Sequence, residues 1–345
     1  MRRSIAAVAT LALLTTTLTG TTPASAEPAR SSAAAPFTLG APPQEYELQM
    51  RANGTEQRVL AQAAAEDKKA NKPPKGKPAT GKGGQGGSAM RTACTFPCYF
   101  YTTFYQDFTA DPADATSADM MVAKPYVDSA LHITAHSLGQ AAIESQDGRD
   151  IVELGWIVDK NRRADGNPTL FAAHWIDNVF KGYDTAWVDY ASNPVNLGAG
   201  LPKPVSKHFE ISQTSTAFWA AYDGAWVAYV PKSRWTPGGV VRPFNAAVAD
   251  IYTAKWFLEM AVDESDPCTD LGTGTLWNAT GTPTPPITTF NNMSVGGSTV
   301  TLNWTKFGPN ITGVWGGVVN SSVNGDAGGP GYTAGGAVGG TAAAC

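Results

Sequence analysis

The chain has 345 residues, 43% of them hydrophobic and 10% aromatic, enough for one large domain with a substantial core. A formal charge of −4 gives no reason to expect a nucleic acid or an anionic membrane as partner. With 36 Gly, 24 Pro and only 16% charged residues, the composition suits a turn-rich β protein better than a helical one.

Residues 1–26 read as an export signal, so the chain is expected to be secreted. Arg2 and Arg3 precede an apolar run over 5–14, and a small-residue stretch ends in Ala24-Ser25-Ala26, an A-x-A cleavage site. The threonine-rich part after Leu14 is too polar for a membrane anchor, and no later stretch is apolar enough to span a bilayer.

Residues 27–90 do not read as a compact domain. The spacing of Tyr46, Leu48, Met50, Val59, Leu60 and Ala63 predicts one amphipathic helix over 45–66. The run DKKANKPPKGKPATGKGGQGGS follows, basic and rich in Gly and Pro, with too little apolar surface to order itself. A helix joined to an exported domain by a lysine-studded linker fits a pro-segment or a spacer from the cell surface.

Residues 91–345 carry short runs broken by turn residues. Strands are expected over the aromatic run 99–108, over 131–138, and over 151–158. In that last run Val152, Leu154, Trp156 and Val158 form one unbroken apolar face. Ile151, Glu153, Gly155 and Ile157 form the other face, where Glu153 is the only ionisable group and Gly155 should leave room above the sheet. A polar turn over 159–168 leads to an apolar strand over 169–176. FWAAYDGAWVAYV, over 218–230, predicts a hairpin around Asp223-Gly224, a pair that favours a type I′ turn. Over 250–262 the β-branched and aromatic content favours a strand, with Trp256, Leu258, Met260 and Val262 on one face and Phe257, Glu259 and Ala261 on the other. Further strands are expected over 299–304 and 313–319. The inferred fold is all-β, an antiparallel β-sandwich of two packed sheets.

Glu153 and Glu259 are thus lone carboxylates on the less apolar side of buried strands. Two such groups on one sheet face can act as a general acid and base, one ionised and one protonated. His132 and His136 face the same way on a strand, but no acidic cluster flanks them. They are expected to be hydrogen-bonded sheet histidines, with no metal. No G-x-S-x-G elbow or phosphate-binding glycine motif is present. Four cysteines in an exported chain predict two disulfides, and three pairings are open. Cys94 and Cys98 are near enough to close a small ring, leaving Cys268 and Cys345 to tie down the last segment.

HSLGQAAIESQDGRDIVELGWIVDKNRRADGNPTLFAAHWIDN resembles the neprosin-domain signature: a Ser-x-x-Gln strand, a Glu-x-Gly-Trp strand and a Leu-Phe-x-x-Trp strand in order. FWAAYDGAWVAYVPKSRW is similar to that family's Trp-rich hairpin, and KWFLEMA to its Trp-Gly-Gly-Glu strand, with Phe257 and Leu258 in place of the two glycines. The resemblance spans about 119–262. It implies a glutamic endopeptidase that cuts after proline at acidic pH, is made with a pro-segment and uses no metal or cofactor. Its substrates would be proline-containing peptides or proteins, and it would act as a monomer. It maps the catalytic pair to Glu153 and Glu259, with Glu153 taken as general base and Glu259 as acid, or the reverse. Gln140, Trp156, Trp175 and Tyr229 are then candidates to position substrate or water. The alternatives are a carbohydrate-active or carbohydrate-binding β-sandwich, in which paired carboxylates and aromatic platforms serve equally well, and an inactive domain that binds peptide or cell wall.

Overall fold

The computed structural model describes residues 39–69, 98–107, 115–127, 135–145, 147–242, 244, 253–262, 270–271, 288–295, 298–299, 305–307, 332–334 and 336–337. Every element below belongs to one compact unit, Ala35–Cys345. Two helices come first, α1 (Gln44–Ala52) and α2 (Thr55–Lys69). The strands are β1 (Cys98–Asp107), β2 (Ala115–Val122), β3 (His136–Glu144), β4 (Ile151–Asp159), β5 (Thr169–Ile176) and β6 (Val179–Tyr183). They continue with β7 (Val188–Asp189), β8 (Val205–Gln213), β9 (Ala217–Tyr222), β10 (Ala225–Pro231) and β11 (Thr253–Val262). The last are β12 (Asp270–Leu271), β13 (Thr288–Val295), β14 (Ser298–Thr299), β15 (Thr305–Phe307), β16 (Tyr332–Ala334) and β17 (Gly336–Ala337).

The strands form two antiparallel sheets, as the sequence pattern leads one to expect. Sheet A runs β15-β1-β11-β3-β4-β5-β6, and sheet B runs β14-β13-β2-β8-β9-β10-β7 with β16 on β13. β12 and β17 make a small separate pair. The sheets pack face to face around one apolar core. Sheet A contributes Ile143, Leu154, Trp156, Leu170, Trp256 and Leu258; sheet B contributes Met120, Phe209, Ile211, Phe218 and Val230. Each such side chain removed from water contributes about 1.5–3 kcal/mol, so the alternation along β4 and β11 decides which face turns inward.

Two turns bear out local sequence chemistry. Asp223 and Gly224, with φ of 48° and 85°, close the β9–β10 hairpin, and Asp177 and Asn178, with φ of 55° and 63°, close β5–β6. Both pairs have the positive φ that the type I′ geometry requires.

Three expectations are corrected. The single helix over 45–66 is two, because Gly54 takes φ 77° and Asn53 turns the chain. Gly155 opens no gap: a Cβ there would lie 2.0 Å from the Gly139 carbonyl oxygen and 2.7 Å from Gln140 Cα, so glycine permits close approach of the β3 backbone. The strand expected over 131–138 begins at His136 and runs to Glu144. Cys94, Cys268 and Cys345, the side chain of Cys98, and the strand expected over 313–319 lie outside the described residues.

Candidate functional site

The outer face of sheet A carries a buried polar ladder on its three central strands. On β3 the residues are His136, Gln140 and Glu144, spaced four apart and so on one face. On β11 they are Lys255 and Glu259, with Phe257 between, and on β4 it is Glu153. Registers fix the cross-strand neighbours: Glu259 lies opposite Leu138, Phe257 opposite Gln140, and Lys255 opposite Ala142, which itself faces Glu153.

All six polar groups are withdrawn from solvent: Gln140, Glu153, Lys255 and Glu259 have no exposed surface, Glu144 has 3% and His136 has 6%. Burying charge is costly unless it is paired, and the ladder is paired. Lys255 Nζ sits 2.5 Å from Glu144 Oε2. Gln140 Nε2 donates to Glu153 Oε1 at 3.3 Å. His136 Nε2 lies 3.0 Å from Glu259 Oε1 and 3.5 Å from the Tyr183 hydroxyl. Aromatic rings wall the ladder on the β5–β6 side. Trp175 packs on Phe180, and Phe171 and Phe180 both pack on Tyr183.

Just before β4, Asp150 is buried and accepts the Asp177 N–H, fixing the β5–β6 turn to the base of sheet A. Burial, and then the nearby Asp147 charge, push its carboxyl up to about 6.

Sequence reasoning placed Glu153 and Glu259 on one sheet face, and the registers place both on the outer face of sheet A. They stand two strands apart and four β3 residues out of step, roughly 16 Å between Cα atoms by ordinary strand spacings. Glu259 also leans to His136, away from Glu153. The pair therefore forms two separate contacts. Gln140 is brought to Glu153, and Trp175 lies farther along the same face.

Trp156 and Tyr229 are placed elsewhere. Trp156 points into the core, where its ring fills the space beside Gly139; a Cβ on that glycine would meet the ring at 2.8 Å. Tyr229 lies on the outer face of sheet B and donates its hydroxyl to Glu56 of α2 at 3.2 Å. Glu144 and Lys255 were missed. The signal was available, since both continue a period-two run through a residue already singled out, Gln140 and Glu259 respectively.

No protein-family model matches the chain, and no curated protein sequence matches it. Solved structures share parts of its course. A galectin of Caenorhabditis elegans is 8% identical over 49% of this chain and 92% of its own, with a TM-score of 0.24. A carbohydrate-binding module of Bacillus subtilis is 7% identical over 49% of this chain and 80% of its own, with a TM-score of 0.25. A Crh5 transglycosylase is 15% identical over 51% of this chain and 65% of its own, with a TM-score of 0.26.

These findings correct the neprosin resemblance. No family model and no curated protein sequence supports it. The glutamic peptidase activity, the cleavage after proline and the proline-containing substrates fall with it. The motifs that carried the likeness are short strand patterns, whose alternation a buried sheet face requires in any case.

Proposed function

We propose that the chain is an exported carbohydrate-binding β-sandwich that holds saccharide along the outer face of sheet A. The observation that carries this reading is the ladder itself. Donors (Lys255, Gln140 and, through its ring nitrogen, His136) alternate with carboxylate acceptors (Glu144, Glu153, Glu259) beside an aromatic wall of Trp175, Phe180 and Tyr183. A sugar presents hydroxyls that both donate and accept along its rim, and apolar C–H faces that pack on aromatic rings. Paired acceptors and donors can exchange their mutual hydrogen bonds for bonds to such hydroxyls without leaving a buried charge alone.

Glu153 and Glu259 each bond a different neighbour, Gln140 and His136, as members of one binding face. Since the ladder is withdrawn from solvent, occupancy requires this face to open.

Retention on insoluble polysaccharides tests the reading. The full chain should be retained by at least one polysaccharide, and Gln140→Leu and Glu259→Gln should each weaken retention about tenfold while keeping the wild-type near-UV circular dichroism. Retention unchanged in both folded variants, or no retention on any polysaccharide, counts against it.

A further inference from the structure

The outer face of sheet B is covered by the chain's own helical hairpin, and the contacts beneath it are not those of an apolar cover alone. Glu47, in the first turn of α1, is 1% exposed. Its carboxylate accepts from the Thr214 hydroxyl at 2.9 Å and the Trp219 indole N–H at 2.6 Å, and also from the Thr216 hydroxyl. Three neutral side-chain donors from one turn and the strand after it thus converge on one carboxylate, with no cation among them. Beside Glu47, the Tyr46 ring packs edge-on against Tyr190 at 4.8 Å, with Trp219 and Tyr229 each at 6.4 Å. Its hydroxyl donates to the Asp189 carbonyl at 2.8 Å and accepts the Ala191 N–H at 3.2 Å.

Glu47 offers a carboxylate to three donors, and the neighbouring Tyr46 offers a ring and a hydroxyl. An acidic saccharide carries groups of the same kinds: a carboxylate, hydroxyls and an apolar ring face. We propose that Thr214, Thr216 and Trp219, with the rings of Tyr190 and Tyr229, form a second site that takes an acidic saccharide through its carboxylate, and that α1 occupies it in cis. The saccharide class rests on the reading of the previous subsection; the carboxylate cradle does not.

The hairpin is suited to leaving. Helices of 9 and 15 residues have little stability of their own and hold through what they pack on. Both Glu47 and a ligand carboxylate satisfy the same three donors, so exchange leaves none of them unpaired.

The test compares the full wild-type chain with the full-length double variant Tyr46→Ala/Glu47→Ala, titrated calorimetrically with trigalacturonate and with neutral galactotriose. The opened variant should bind trigalacturonate at least tenfold more tightly than wild type does, and at least tenfold more tightly than it binds galactotriose. Adding Thr214→Val and Thr216→Val should abolish that preference, which separates this site from the ladder on sheet A, where neither residue lies. Equal binding by wild type and the opened variant, or equal binding of the two trisaccharides, overturns the proposal. If the double variant does not fold, amide exchange of 44–69 in the wild-type chain decides. Exchange should rise with trigalacturonate and not with galactotriose, and no rise at millimolar trigalacturonate overturns the proposal.

Discussion

The two outer faces of this sandwich bury carboxylates by opposite means. On sheet A, Glu144, Glu153 and Glu259 belong to the strands and meet partners from neighbouring strands, so removing one residue strands another inside the same sheet. On sheet B, Glu47 and Glu56 arrive from outside on a helical hairpin, and beneath it they meet the neutral donors Thr214, Thr216, Trp219 and Tyr229. Polar groups on the first face are part of the sheet's own stability. Those on the second can be withdrawn as a unit, leaving hydroxyl and indole groups that water can satisfy.

The largest expected difference comes from breaking a pair on sheet A. Lys255→Met leaves the Glu144 carboxylate without its cation in a buried setting, and should cost about 3–5 kcal/mol in urea unfolding. Glu47→Ala on sheet B should cost less, about 1–3 kcal/mol. The loss should be local, with faster amide exchange confined to 44–69 and the sandwich amides unchanged. If exchange rises equally throughout the sheets, the hairpin is not separable and the contrast fails.

Titration sharpens the comparison. On the solvent side of sheet B, His208 Nδ1 lies 2.7 Å from Asp119 Oδ1. Burial works against its charge, but the hydrogen bonds it donates to Asp119 and then Glu210 prevail and raise His208 from 6.5 to about 9. A raised histidine adds stability that is complete below its unfolded value and lost as pH rises through its folded one. The wild-type chain should therefore lose roughly 2 kcal/mol between pH 6.5 and 9, and Asp119→Asn should flatten that slope.

The smallest effect is expected at the base of sheet A. Asp150 is raised from 3.8 to about 6 chiefly by burial, so its contribution is greatest below pH 3.8 and falls as pH rises through 6. Asp150→Asn should then stabilise the chain by about 1–2 kcal/mol at pH 7 and change little at pH 4. A neutral-pH loss instead would mean that the ionised carboxylate holds the β5–β6 turn better than an amide does.

Much of this architecture was legible in the chain. Alternation along 151–158 and 253–262 marked which side chains enter the core, because the inward face is uniformly apolar while the other, though also buried, carries the carboxylates. Asp223-Gly224 marked its hairpin because few residue pairs tolerate two positive φ angles. Gly155 was misread, because a missing side chain signals either an opening or a close approach, and only the neighbouring backbone distinguishes them. The break at Asn53-Gly54 was legible but outweighed by the apolar spacing on either side.

By itself, the sequence determined the all-β class, the inward faces of the main strands, and that Glu153 and Glu259 each stand on the other side of their own strand. The tertiary structure alone decided that these two carboxylates stand four residues out of step, that Trp156 belongs to the core, and that Tyr229 lies under a helix. Side-chain alternation is a property of one strand and is written in its own residues. Register, and what comes to rest on a finished face, depend on how separate strands slide and pack against one another, and no single stretch encodes that.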